Sequence, residues 1–350
     1  YARTWGTNKI IIDSNGLNYQ GNADTYTVEY TTDGQSVNIV YSDATKGWLP
    51  LEDDVTADVP VAPPTQKAIF GFGDTGSNVS MTNLVSSSGV VATDVTGVGT
   101  ARQSPAAASY GIDKAIFGYG YDGSRLSMTN LVSSSGVVAA DTTGVGTGRN
   151  ALAAAGYGID KAIFGYGWNG SYLSLTNLVS NSGVVATDTS GVGTARLGTA
   201  AASYGTDKAL FGYGDNGSYV SMSNLVSNSG VVSADVTGVG TGRQSPTAAG
   251  YGGDKAIFGY GYGAATYVSM TNLVSNVGVV ASDTGGVGTA RSGVAAAGYG
   301  GDKAIFGYGN TGSKVSLTNL VSNSGVVASD TTGVGTARRL LAAAGYSTSA

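Results

Sequence analysis

The sequence predicts an all-β protein, a six-bladed β-propeller of four-stranded blades preceded by a small β segment. Three observations predict it. From Lys67 onward one unit of about 47 residues recurs six times, opening Lys-Ala-(Ile/Leu)-Phe-Gly at Lys67, Lys114, Lys161, Lys208, Lys255 and Lys303. A fixed period of this size marks a repeat array. Within each unit, short apolar runs alternate with turn residues, and the 57 glycines interrupt every run before two helical turns could form, at about 1 kcal/mol each against Ala. The last unit ends with a small-residue run, Arg338 to Tyr346, that the first unit lacks at its start. That surplus strand is expected to complete the first blade and close the ring, leaving no free sheet edge.

Residues 1–51 do not repeat and read as a small β attachment segment. Lys9-Ile-Ile-Ile12 is one β-prone run. Tyr26, Val28 and Tyr30 alternate with polar residues, as do Val37, Ile39 and Tyr41, and Asp33-Gly34 between them signals a hairpin. So short a segment buries little alone. It is expected to dock on the propeller, on another copy or on chain upstream. Residues 52–66, with Asp53, Asp54, Pro60, Pro63 and Pro64, read as a semi-rigid linker.

The propeller spans 67–350 in repeats 67–113, 114–160, 161–207, 208–254, 255–302 and 303–350. The third copy shows the pattern. Asn150 to Tyr157 is a run of small residues, Lys161 to Gly167 a β-prone run ended by glycines, Tyr172 to Ser180 a Thr/Leu/Val-rich run and Gly183 to Asp188 the fourth. Gly158-Ile-Asp160, Trp168-Asn-Gly170, Asn181-Ser-Gly183 and Gly191-Val-Gly193 supply turns.

Composition narrows function. Histidine and cysteine are absent, which removes the commonest general base, the commonest metal ligand and any thiolate or disulfide chemistry; no metal or cofactor is expected. Charged residues make up 12% and the net charge is −5, a poor match to nucleic acid, whose phosphates need clustered Lys and Arg. No apolar run reaches the roughly 18 residues of a membrane-spanning helix, so no membrane insertion is expected. The chain opens at Tyr1 with no basic-then-apolar leader, which fits a processed product or a piece of a longer chain.

The order Arg149, Ala153 to Ala155, Ala162 to Gly167 and a variable loop at Trp168 resembles the kelch repeat. The likeness covers 67–350. It departs from that family in its Gly-Tyr-Gly (Gly-Phe-Gly at Gly71 to Gly73) and in lacking the fourth-strand aromatic. The resemblance implies that the Ala-rich strand lies innermost, at the crowded axis, and that arginines at the mouth often face ligand. Gly16 to Asn22, Asp33 to Tyr41 and Asp43 to Trp48 look like a module of tailed-phage virion proteins. Thr176 to Val185 looks like repeats of phage fibre proteins.

Acid and arginine recur eight residues apart as Asp94/Arg102, Asp141/Arg149, Asp188/Arg196, Asp235/Arg243, Asp283/Arg291 and Asp330/Arg338. These are expected to be structural pairs, since each acid travels with its own arginine; the alternative is a ring of cations gripping anions at a channel mouth. Asn83, Asn130, Asn177, Asn224, Asn272 and Asn319 sit inside the third strand-forming run, where Asn is disfavoured, so each should satisfy a specific backbone group, with a metal or sugar role as the alternative. Tyr110, Tyr157, Tyr204, Tyr251, Tyr299 and Tyr346 end the inner strand and are expected to pack there with a hydroxyl partner.

The copies differ most in the loop after Gly-Tyr-Gly, which gains Tyr121, Arg125, Trp168, Tyr172, Tyr219, Tyr262, Tyr267 and Lys314. Exposed rings on polar turns suit sugar stacking or a protein partner. These residues are the candidate ligand-binding face, with simple drift of a solvent loop as the alternative. No nucleophile–base pair or phosphate loop is present, and six equivalent acids do not make one differentiated catalytic pocket. The expected function is therefore that of a non-enzymatic phage tail-fibre or virion-surface protein, located on the virion or extracellular surface. It would bind a host glycan or protein for attachment and join other virion proteins through its N-terminal segment, as a homo-oligomer or part of a larger assembly. A purely structural array or decoration protein is the alternative reading, and a glycan-active enzyme the third.

Overall fold

The computed structural model describes residues 4–21, 23, 28–51 and 65–349. The linker expected at 52–66 falls outside these except for Thr65 and Gln66, as does Tyr26. The chain divides into two units, Tyr1–Val61 and Ala62–Ala350. Every regular element among the described residues is a β-strand.

In the first unit, Ile10–Ile12 pairs with Val28–Tyr30 and Ile39–Asp43 pairs with Gly47–Pro50, both antiparallel. The hairpin expected across Asp33-Gly34 does not form. The turn itself does, with Gln35 N donating to Thr32 O and Gly34 at φ 83°. The strands on either side choose other partners. Asp43 Oδ1 accepts from Thr45 N and Lys46 N, nucleating a tighter local hairpin that takes Ile39 to Tyr41. Tyr41 meets Trp48 edge-on at 5.5 Å.

The second unit holds six three-stranded antiparallel sheets. The first joins Ala342–Tyr346, Lys67–Asp74 and Asn78–Val85. The second joins Ala106–Tyr110, Lys114–Tyr121 and Arg125–Val132. The third joins Ala153–Tyr157, Lys161–Trp168 and Tyr172–Val179, and the fourth Ala200–Tyr204, Lys208–Asp215 and Tyr219–Val226. The fifth joins Thr247–Tyr251, Lys255–Gly259 and Thr271–Val274, with its extra residue making a small separate hairpin, Tyr262–Gly263 with Thr266–Tyr267. The sixth joins Ala295–Tyr299, Lys303–Asn310 and Lys314–Val321. The surplus strand pairs where the sequence placed it, Ala342 opposite Gly71 and Tyr346 opposite Lys67. Each Ala-rich strand lies beside that of the next sheet, and Ala342–Tyr346 lies beside Ala106–Tyr110, so the succession returns on itself.

The fourth strand expected in each unit is not a regular strand. Val185 bridges Val179 and Thr189 bridges Thr176, a register that slips by one residue between the two contacts. The cause is Asn177. Its Nδ2 donates to Ala186 O at 3.0 Å and to Asp188 Oδ1 at 2.9 Å, so a side chain stands where a ladder bond would run. The other five units repeat this arrangement.

The middle strand is buried along nearly its whole length. That explains its continuous Ala-Ile-Phe run, because a strand covered on both faces has no need to alternate. Phe164, fully buried, wedges against Gly118 of the preceding sheet, where an added Cβ would stand 2.7 Å from its Cζ. Gly118→Ala is therefore expected to force the wedge out, at about 1–3 kcal/mol, measurable as a lower denaturation midpoint with the β spectrum retained. Beside it the ladder slips between Gly118 and Gly120, and Tyr119 adopts φ 63°. This bulge turns the Tyr119 ring into the joint between sheets, edge-on to Phe164 at 5.1 Å. Phe72, Tyr166, Tyr213, Tyr260 and Tyr308 repeat it.

Candidate functional site

The chemistry that recurs in all six units lies at one end of the sheets, where the inner strand begins and the middle strand ends. Arg149 shows its construction. Its side chain is wholly buried. Nε donates to Tyr166 O at 2.9 Å, Nη1 to Thr147 O at 3.1 Å and Nη2 to Asn177 Oδ1 at 2.7 Å. The guanidinium lies over the Tyr119 ring of the preceding sheet, 4.3 Å from its centre, and the Arg149 carbonyl accepts from Gly120 N at 3.0 Å. One residue thus joins two sheets.

The acid beside Arg149 is Asp188, 3.8 Å away. The pairing expected at a spacing of eight is corrected throughout: Arg102 meets Asp141, Arg196 Asp235, Arg243 Asp283, Arg291 Asp330 and Arg338 Asp94. The reason is topological. The turn between Asp and Arg is the crossing from one sheet to the next, so the two residues eight apart belong to different sheets. The carboxylate is held mainly by neutral donors. Asp188 Oδ2 accepts from Thr147 N at 2.9 Å and from its hydroxyl at 2.6 Å, and Oδ1 accepts from Asn177. Burial alone would raise these six carboxyls. The Thr and Asn hydrogen bonds, with the guanidinium, outweigh it and hold each below the usual carboxylate value. Burial likewise pulls Arg102 down to about 10, leaving it charged at neutral pH. With the guanidinium groups enclosed and bonded, a cationic ring open to ligand is not what these arginines form.

The inner-strand tyrosines end at the opposite face. Tyr110 lays its ring against Gly183 of the next sheet, its nearest atoms 2.9 Å from where a Cβ there would stand. The contact is ring on backbone.

The variable hairpins share the arginine end, as shown by the bridges Gln103 to Tyr121 and Asn150 to Trp168. Of the candidate face, Arg125 and Tyr219 are exposed, and Tyr121, Trp168, Tyr172, Tyr262, Tyr267 and Lys314 are half-buried. The structure brings several of them together. Trp168 and Tyr172 meet edge-on at 5.0 Å. Tyr219 meets Tyr262 of the next sheet at 6.1 Å, and Tyr262 meets Tyr267 at 5.4 Å. Asn310 Nδ2 donates to Tyr267 Oη at 2.7 Å, and Asn78 Nδ2 to Tyr121 O at 3.1 Å.

Lys314 is drawn elsewhere, 3.7 Å from Asp74, which also accepts from Arg339 Nε at 2.9 Å. Asp74 and Arg339 were not anticipated. The signal was the doubled Arg338-Arg339, since the other copies carry Gln103, Asn150, Leu197, Gln244 or Ser292 at the second position.

At this end lies a cavity of about 130 Å³ lined by the starts of the Ala-rich strands of all six sheets. Around it Ser104 N donates to Leu340 O, Ala151 N to Ser104 O, Gly198 N to Ala151 O, Ser245 N to Gly198 O and Leu340 N to Gly293 O. All six residues hold positive φ, between 49° and 62°, which lets the amides point along the circuit. Nothing in the sequence flagged it, because its residue types vary and only backbone takes part. Among the described residues no group of three or more acids could hold a metal ion, and no helix is long and apolar enough to cross a membrane. The chain matches no family model and no curated protein, so the kelch and phage likenesses rest on the motifs themselves.

Proposed function

We propose that the six sheets are the blades of a six-bladed β-propeller. In this reading the chain is a non-enzymatic virion or extracellular surface protein that binds a host-surface glycan or protein through its variable hairpins. The observation that carries it is the split between a constant scaffold and one diversified end. The Arg–Asn–Asp–Thr cluster, the Phe wedge and the aromatic bulge recur at every joint, while the hairpins at Tyr121, Trp168, Tyr219 and Tyr262 differ. Rigid rings on a fixed frame give contact area at low entropic cost. The Lys67 strand begins at the end opposite the hairpins, with Gln66 N bonded to Ser347 O. The recurring acids support a binding role over catalysis, since each is held ionised by the same Thr and Asn and none is set apart as a proton donor. A homo-oligomer or a larger assembly, joined through the N-terminal segment, completes the proposal.

The test is a Trp168→Ala, Tyr172→Ala double variant assayed for adsorption to host cells or partner particles. Each lost ring should weaken binding by about 0.5–1.5 kcal/mol. Wild-type adsorption by a folded variant would remove these two residues from the contact. A second reading, a purely structural array, draws on the half-buried state of most hairpin residues and on their contacts across joints, Tyr219 with Tyr262 and Tyr267 with Asn310. Unchanged adsorption after substitution at every hairpin would favour it.

A further inference from the structure

The hairpin end is chemically polarised. The second to fifth sheets carry Tyr121, Trp168, Tyr172, Tyr219, Tyr262 and Tyr267, whereas the sixth and first carry Asn310, Lys314, Asp74 and Asn78. On that polar side the cations are already engaged, Lys314 and Arg339 both on Asp74. On the aromatic side the hairpins bear one cation, Arg125, which has no ion pair among the described residues, against two carboxylates, Asp122 and Asp215. Among the described residues those acids accept local amides, Ser124 N and Gly217 N.

We infer that the aromatic tract over the third to fifth sheets, centred on Tyr219, is a subsite for an uncharged, extended glycan. This rests on the binding role proposed above and names its ligand class. The edge-on contacts Trp168–Tyr172 and Tyr219–Tyr262–Tyr267 gather the rings into two groups, and ring faces of this kind stack on the C–H faces of sugars. Tyr219 is the most open, at 37% exposure. The turn residues between the rings supply the polar partners. Asp215 can accept from sugar hydroxyls, and the Asn169 amide, whose Oδ1 is taken by Ser171 N, has an Nδ2 that can donate. A uronate or sialic-acid chain on this tract would bring carboxylates beside Asp215, with no cation in hairpin residues 168–172, 215–219 and 262–267 to meet them, and repulsion would oppose it. The tract crosses several sheets, which suits a chain of sugars in an extended conformation better than a single residue.

The full chain is tested against immobilised cellotetraose, maltotetraose, tetragalacturonate and sialyllactose at low and high salt. The expected result is binding to a neutral oligosaccharide that is insensitive to salt. It should weaken about 2–10-fold for Tyr219→Ala, persist in Tyr219→Phe and be unaltered in Arg125→Gln. A melting curve for each variant separates a lost ring from a lost fold. Preference for the acidic probes, a steep salt dependence, or loss on Arg125→Gln would overturn the uncharged class. Neutral binding that survives Tyr219→Ala but fails in Asn78→Ala or Lys314→Ala would overturn the sector and leave the surface-binding role standing. If no probe binds while cells are still adsorbed, the glycan assignment falls and a protein receptor takes its place. If adsorption is absent as well, the binding role itself fails.

Discussion

A chain ending at Ala337 is expected to lose the fold of the repeat unit. The truncation removes the inner strand of the first sheet, Ala342–Tyr346, and exposes the amides and carbonyls of Lys67 to Gly71 that pair with it. It also removes Arg338, which is buried and bonds Phe72 O, Thr336 O and Asn83 Oδ1. Leu341 and Ala343 leave the core where Phe70 and Tyr308 pack. The same cut frees Asp74 from Arg339. Together these losses amount to several kcal/mol or more, against a total stability of about 5–15 kcal/mol for a domain, and the bare edge invites association. Melting and sedimentation of the truncated chain check this. Adding a synthetic peptide of residues 338–349 should restore the cooperative transition, and a truncated chain that melts like the intact one would show that the seam contributes nothing.

Arg149→Met is expected to be the most damaging single substitution within a joint. It leaves Tyr166 O, Thr147 O and Asn177 Oδ1 without their donor and removes the cation over Tyr119. Breaking a buried ionic cluster from one side costs about 3–5 kcal/mol. Asp188→Ala should cost less, about 1–3 kcal/mol. That acid keeps a 25% exposed side chain, and Arg149 retains three neutral acceptors. The loss should be felt at the joint of Arg149 rather than at Arg196. Urea denaturation of both variants tests the order, and an equal or reversed effect would place the weight of the cluster on the carboxylate.

The same carboxylates set the acid limit. Their folded values are depressed, so the stability they confer is fully present above the unfolded carboxylate value, about 3.9. It is lost as pH falls through the folded values. With no histidine in the chain, melting should be nearly flat from about pH 5 to 8 and fall below about pH 4. A step near pH 6 would contradict this.

The repeat and the return of the surplus strand Ala342–Tyr346 to the first sheet were legible because they depend on periodicity and on a count of strands. The partner of each arginine was not. A spacing of eight is compact in sequence, and nothing in it reveals that the turn between Asp188 and Arg196 carries the chain from one sheet to the next. The fourth strand was misread for a similar reason. Gly183 to Asp188 has β-prone composition, but the Asn177 amide occupies the ladder position that would have made it a strand. The bulge escaped notice because Tyr119 at positive φ breaks the preference of its residue type, at a cost offset by the packing of its ring under Arg149 and against Phe164. In the first unit the Asp33-Gly34 turn was correctly read, yet the pairing around it was decided by Asp43 and its two backbone donors.

The seam has a further consequence. At five sheets the inner and middle strands are linked by a covalent turn such as Gly111-Ile-Asp113; at the first they are held by hydrogen bonds alone. Backbone pairing and peptide linkage are therefore interchangeable at this position. A circularly permuted repeat unit without residues 1–66, with Tyr346 tied to Lys67 by a Gly-Ile-Asp turn and new termini between Tyr110 and Lys114, would keep the strand pairing of the first sheet and the arginine cluster of every joint. Recombination between repeats of the coding sequence would likewise exchange whole units in register wherever it cut, so hairpins can be shuffled between positions without disturbing the residues that hold the sheets together.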